Sequence, residues 1–279
     1  MTSRAAALLS LAVSMTAGAG CARALREPPP LIERALPGAG ARTGDGQHPE
    51  SVAPLLARAD VLYAARGPAD VRQAADVYLE AARADITRVE GLVGAVRARA
   101  WLIDHEADAE QRRRDAVAAV QAAQWCVGIQ PDGAVCSYWM GAALGLQARE
   151  RHATALDALP RIEQAFQKAA ASDPALEQGG PDRALALLYL RAPGWPTGPG
   201  DPEKGLVHAR KAVELGRDYP PNHLALAEAL AANGDADGGR QGWSRALELA
   251  RAMKDAGDRD AIEWIQEAET ALAGAPSER

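Results

Sequence analysis

Small and hydrophobic residues recur along most of this chain with the period of an α-helix, and one stretch sets the frame for the rest. Pro221 to Ala250 reads as helix, tight turn, helix with no insertion. Asn233-Gly234-Asp235 makes the turn, and Gly239, Trp243 and Ala246 mark the packing face of the second helix. The signature is a small residue, an apolar or bulky one four later, and a small one three after that. It recurs upstream as Ala74, Tyr78, Ala81; Ala119, Ala123, Cys126; Ile162, Phe166, Ala169; and Gly205, Ala209, Ala212. Between the third members of successive sets the spacings are 45, 43, 43 and 34 residues.

The last spacing matches the tetratricopeptide period of about 34 residues, and Ala227 falls on its small eighth position. The pattern predicts an all-α, tetratricopeptide-like superhelix over residues 51–273, with about five helical hairpins plus a C-terminal capping helix. Pro131 and Pro174 close the second and third sets at the repeat's proline position, Arg217 and Arg251 replace it later, and Ile86 makes the first set the loosest match. The extra residues fall around Asp104 to Asp115, Arg149 to Leu159 and Ala192 to Asp201. Gathered on one edge, they form either a binding rim or longer helices. From Asp258 to Ala273, a stripe of Ala261, Ile262, Trp264, Ile265, Ala268 and Leu272 faces acids and amides, as a cap over the last hairpin requires.

Composition sharpens this reading. Hydrophobic residues make up 48% of the chain but aromatics only 4%, so alanine and leucine must do most of the packing, which suits closely spaced helices. The net charge of −6 and the absence of an aromatic-interleaved basic run argue against nucleic acid. Arg112-Arg113-Arg114 is flanked by Glu110 and Asp115 and reads as a solvated helix face.

Residues 1–20 have the shape of a secretory signal: Arg4, then an apolar run from Ala5 to Val13 that is too short for a permanent span. Gly18-Ala19-Gly20-Cys21 resembles a bacterial lipobox, with Gly18 where Leu is usual. Lipidation of Cys21 would anchor the chain. Simple cleavage near Ala19 or after Ala24 is the alternative. Residues 21–50, rich in Pro and Gly, read as a disordered tether, and residues 274–279 as a disordered tail. The expectation is a periplasmic lipoprotein, with the outer membrane favoured because Ala22 is not acidic.

Chemistry finds little to build on. Cys126 and Cys136 lie ten apart across Gln130-Pro131-Asp132-Gly133. In an exported chain they favour a disulfide, with two small buried thiols as the alternative. His48, His105, His152, His208 and His223 are scattered, with no nucleophile elbow, HExxH pair or phosphate loop beside them. Gly198-Pro199-Gly200 leads into Asp201-Pro202, which starts a helix. Asn233, Asp235, Asp237 and Gly238 imitate half of a calcium loop, but Ser244 stands where its glutamate belongs. No catalytic, metal or cofactor site is expected. Two features suit a binding role instead. Pro193 and Pro196 stiffen a loop presenting Trp195, with Tyr189 and Arg191 close in sequence, as at a pocket lip; the alternative has Trp195 folding back onto the hairpin end. Tyr138 and Trp139 open a first helix, the kind that lines the concave side of such arrays, so one ring could face a groove; core packing is the alternative, and the favoured one, for either.

Three blocks carry a resemblance: Cys136-Ser-Tyr138-Trp139-Met-Gly141-Ala-Ala-Leu144-Gly145; Asp157 through Leu159-Pro160 and Ile162 to Asp173-Pro174; and Pro181 to Asp201 with Arg183, Tyr189, Pro193-Gly194-Trp195-Pro196. On these the chain resembles the T-component family of tripartite ATP-independent periplasmic (TRAP) transporters, over roughly Ser51 to Leu272. The resemblance implies an oligomeric helical scaffold, here a homo-oligomer, that docks a periplasmic solute-binding protein and holds an apolar ligand. A generic tetratricopeptide adaptor and a small-molecule carrier are the other readings.

Overall fold

In the computed structural model, residues 52–151 and 155–274 are described. The signal segment, Cys21, the tether, His48, His152 and residues 275–279 lie outside them. The described residues form eleven α-helices: α1 (Val52–Ala64), α2 (Pro68–Ala84), α3 (Glu90–His105), α4 (Ala109–Ile129), α5 (Ala134–Glu150), α6 (Ala155–Ser172), α7 (Gly180–Arg191), α8 (Pro202–Leu215), α9 (Pro220–Ala232), α10 (Ala236–Asp255) and α11 (Ala261–Gly274). Five antiparallel hairpins therefore precede a capping helix, in a tetratricopeptide-like superhelix.

Local chemistry starts these helices where they start. The carboxylates of Asp108, Asp201 and Asp235 accept from the backbone amides of Glu110, Lys204 and Gly238, capping α4, α8 and α10. Proline occupies the first turn of α2, α7, α8 and α9, where its missing N–H costs nothing. The half calcium loop is the turn into α10, with Asn233 Nδ2 donating to the carbonyls of Pro202 and Ala229.

All five signature sets fall on second helices, in order on α2, α4, α6, α8 and α10. Their members are buried except Trp243, which is half-buried. Small residues bring the backbones close: a Cβ on Gly91 would lie 2.5 Å from the Tyr78 carbonyl oxygen, and one on Gly141 would lie 2.7 Å from the Phe166 ring. The packing is layered. Each first helix also packs on the next first helix, α1 on α3 and so on to α9 on α11, whereas no two second helices share a comparable interface. The odd-numbered helices are thus the inner layer and the even-numbered ones the outer.

Buried polar groups lock the hairpins in register. Asp115, 1% exposed, accepts from Arg72, Arg99 and Gln111. Asn222, fully buried, donates to the carbonyls of Gln178, Ala212 and Gly216 and accepts from Arg183. A disulfide joins Cys126 in the last turns of α4 to Cys136 in the first turn of α5.

The extra residues have two different fates. Those around Asp104 to Asp115 lengthen α4 to 21 residues and leave only residues 106–108 as a link. Those at 192–201 form an ordered loop. Three details depart from the sequence reading. Arg251 lies inside α10, which continues to Asp255, and Ile262 is 46% exposed rather than part of the cap's buried stripe. Arg112 is not simply solvated, since it reaches Glu150 on α5 at 3.0 Å and the carbonyls of Glu106 and Ala107.

Gly91→Ala will lower stability by about 2 kcal/mol, because its Cβ meets backbone that cannot yield. Gly145→Ala, in α5 with nothing within 4 Å, will raise it by about 1 kcal/mol. Urea denaturation midpoints read both. Replacing Cys126 and Cys136 together by Ala will cost about 2 to 3 kcal/mol by freeing a short loop in the unfolded chain, read in the same assay.

Candidate functional site

The first helices carry several large, half-buried side chains. At the end of α1, Tyr63 lies between two guanidinium groups, Arg66 at 4.0 Å and Arg97 at 4.7 Å from the ring centroid. Arg97 also donates to the Tyr78 hydroxyl at 3.1 Å, and that hydroxyl donates to the Asp60 carboxylate. On α3 Trp101 stacks on His105 with centroids 3.7 Å apart.

Further round, Tyr138 on α5 meets Trp139 edge-on at 5.3 Å and Phe166 at 5.9 Å. Arg183 on α7 lies over the ring of Tyr219, 5.0 Å from its centroid, and Tyr219 meets Trp264 of α11 edge-on at 5.4 Å. Near the far ends of the same helices, Arg191 makes a bidentate pair with Glu228 at 2.9 and 2.6 Å. That pairing raises the Arg191 pKa. Glu267 is pushed above the usual carboxylate range by burial, with Arg191 opposing and Glu228 adding. The lining therefore holds aromatic rings, phenol hydroxyls and guanidinium groups whose charges are already answered: Arg66 by Asp260, Arg97 by Asp60, Arg191 by Glu228.

Burial raises the pKa of all five tyrosines, Tyr63, Tyr78, Tyr138, Tyr189 and Tyr219. Tyr78 and Tyr219 reach about 12.

The residues singled out in the sequence fall in separate places. Tyr138 and Trp139 lie at the start of α5, half-buried. Tyr189 is 3% exposed, its hydroxyl donating to Glu163 at 2.7 Å and its ring stacked on His208 at 5.5 Å. It packs α7 against α6 and α8 and forms no lip. Arg191 faces Glu228. Pro193 is exposed, and Trp195, 90% exposed, stands in solvent at the loop tip rather than folding back. The loop itself is ordered: Gly200 N–H donates to Pro193, Thr197 N–H to Gly194, and Asp201 N–H to Tyr189, and the Trp195–Pro196 peptide is cis.

His208 Nδ1 donates to Asp182, 0% exposed, at 2.8 Å, with Lys211 3.0 Å from the other oxygen. Burial pushes the Asp182 carboxyl up, and these two partners together bring it below its ordinary value. Stacked on Tyr189, this histidine is committed to packing. His223 bonds the Arg217 carbonyl. Among the described residues no group of His, Cys, Asp and Glu could hold a metal ion, and no helix is long and apolar enough to cross a membrane.

Tyr63, Arg97, Tyr219 and Trp264 as inner-face residues escaped the sequence reading. Their signal in the sequence is weak, since each stands at a different turn of its helix and Tyr219 lies at the cap before α9.

No family model matches the chain, and no curated protein matches it. Among solved structures it is similar to TTC0263, a thermophilic TPR protein of Thermus thermophilus, at 17% identity and a TM-score of 0.57, covering 80% of this chain and 99% of that one. A fragment of MamA from Desulfovibrio magneticus RS-1 also matches, at 22% identity and a TM-score of 0.46, over 75% of this chain and 97% of that one. The first likeness shows the fold: a tetratricopeptide-like helical-repeat architecture.

In the native state the phenols hold their protons where the unfolded chain, with tyrosines near 10.0, has lost them. The stability they contribute is present below about pH 10 and is lost as pH rises to about 12. An absorbance titration of tyrosinate will give a midpoint above 10 when folded and an ordinary one in concentrated guanidinium. Tyr78→Phe will flatten the fall in denaturation midpoint over that window.

Proposed function

We propose that this protein is a non-enzymatic exported lipoprotein whose inner helical layer binds a protein partner. The observation that carries this reading is the continuous inner layer itself, in which α1, α3, α5, the start of α9 and α11 carry the half-buried rings of Tyr63, Trp101, Tyr138, Tyr219 and Trp264. Rigid aromatic rings with polar edges give large contact area at low entropic cost, which is what protein interfaces use. The guanidinium groups among them are internally paired, so recognition rests on rings and hydroxyls more than on net charge. These charged pairs also weigh against a purely apolar small-molecule cavity.

Export is supported by the Cys126–Cys136 disulfide, which forms and persists in an oxidising compartment, and by the lipobox-like Gly18 to Cys21. The finer reading is a TRAP-associated T-component that docks a periplasmic solute-binding protein, with the outer membrane as the favoured location. Its support is the three sequence blocks described above, the third of which contains the exposed Trp195. Trp195, with Pro193 behind it, then serves as a second contact outside the inner face.

A photo-crosslinking residue in place of Tyr219 or Trp195 will give an adduct with a second protein in cells, and one in place of the outer-layer Gln241 will not. An adduct with a solute-binding protein supports the T-component reading, and one with another protein supports the adaptor. No adduct from either position, or labelling from Gln241 alone, rejects an inner docking face. Once the partner is in hand, Trp264→Ala will weaken it by roughly tenfold or more, measured by calorimetry. Cys21→Ser will abolish incorporation of a clickable fatty acid and release the protein from the membrane fraction.

A further inference from the structure

In a stacked array each helix packs on its neighbours, and here every extensive helix interface joins elements one or two places apart in the chain. Three polar contacts break that rule. Arg66, after α1, makes a bidentate pair with Asp260, before α11, at 2.7 and 2.6 Å across 194 positions. Arg259 donates to the Ala65 carbonyl at 2.6 Å. His105, at the end of α3, bonds Glu263 of α11 at 2.9 Å. The start of the capping helix therefore meets the first two hairpins, and the inner layer closes into a ring.

The seam has the character of a latch. It is carried by side chains, since α11 has no extensive interface with α1 or α3. Its members are part-exposed, Arg66 18%, Asp260 38%, His105 29% and Glu263 52%, so salt reaches and weakens them. The ring also has a natural pivot. Of all the sequential helix pairs α6 and α7 have the thinnest packing. The link between them ends in three consecutive left-handed residues, Glu177, Gln178 and Gly179, at φ 49°, 56° and 83°. Asn222 holds that turn to α8 and α9 through the carbonyls of Gln178, Ala212 and Gly216. The turn thus belongs to the C-terminal half and leaves the α6 side as the place to bend.

We propose that the ring opens at the Arg66–Asp260 seam, swinging about the α6–α7 joint, and that this opening controls access of the partner to the inner face. The gate rests on the inner face being the docking face, but its test needs no partner.

The full-length protein carrying Tyr219→Cys is labelled with a maleimide and read by peptide mass spectrometry, which separates this site from Cys21, while Cys126 and Cys136 are blocked by their disulfide. Arg66→Ala, or high salt, will speed labelling at position 219 at least about threefold. Labelling of Trp195→Cys, already exposed, will not change. The charge swap Arg66→Asp with Asp260→Arg will restore the slow rate. In chains without a reporter cysteine, Arg66→Ala will speed amide exchange in α1 and α11 and leave α4 and α5 unchanged. An unchanged rate at position 219, a rise that the swap does not reverse, or faster exchange throughout overturns the latch. A latch that passes these tests while no inner-face adduct forms in cells instead rejects the docking assignment.

Discussion

The structure depends on how closely its helices approach. With a single Phe in the chain and alanine filling most contact positions, each helix pair buries little area per residue, and attraction must come from backbone brought near backbone. Gly91 and Gly94 against Tyr78, Gly205 against Leu190 and Gly239 against the Ala227 carbonyl are the points where any side chain would prevent that approach. Small contacts are poor at specifying register, because alanine faces slide past one another at little cost. Specificity passes to buried polar clamps. Asp115 holds the first two hairpins in step, Asp182 joins α7 to α8, and Asn222 ties the α6–α7 link to α8 and α9. Each is satisfied on several sides, so losing one partner strands a buried charge or amide.

Large side chains are shared between the layers. On the outer helices Tyr78 and Phe166 fill the space opposite Gly94 and Gly141, while Tyr63, Trp101, Tyr138, Tyr219 and Trp264 belong to the first helices or their starts and are half-buried. Their neighbours Arg66, Arg97 and Arg191 are each paired with an acid, which keeps a crowded and partly dehydrated lining close to neutral.

The sequence made the outer layer readable and the inner one nearly unreadable, for a physical reason. Second helices repeat a fixed triplet because each faces the same kind of neighbour, so Ala74, Tyr78, Ala81 and its four successors report their own register. First helices each carry a different large residue at a different turn, and no period links Tyr63 to Trp264. Helix length was also invisible: the residues between Asp104 and Asp115 fit a loop or a longer helix equally well in spacing, and the Asp108 cap and the ties of Arg112 to α5 decide for the helix. Tyr189 and Trp195, six positions apart, look like one feature in sequence. The end of α7 intervenes, leaving the tyrosine buried between helices and the tryptophan in solvent. Arg66 and Asp260, 194 positions apart, give no local signal at all.

A linear stack would gain stability with each added hairpin and would have two wet ends. This one has a capping helix, and the start of that helix also touches the beginning of the array. The N-terminal half is tied internally by Asp115 and by the Cys126–Cys136 disulfide, and the C-terminal half by Asn222 and Asp182. Between them, at α6 and α7, packing is thinnest and the backbone takes three left-handed residues in a row, two of which are not glycine. A non-glycine residue in that region costs of order 1 kcal/mol and persists only where its surroundings insist on it. Here Asn222 does the insisting by accepting from Arg183 while donating to the Gln178 carbonyl. The strain is thereby held at a turn that Asn222 ties to α8 and α9. Beyond it the chain runs on to the start of α11, where Asp260 pairs with Arg66.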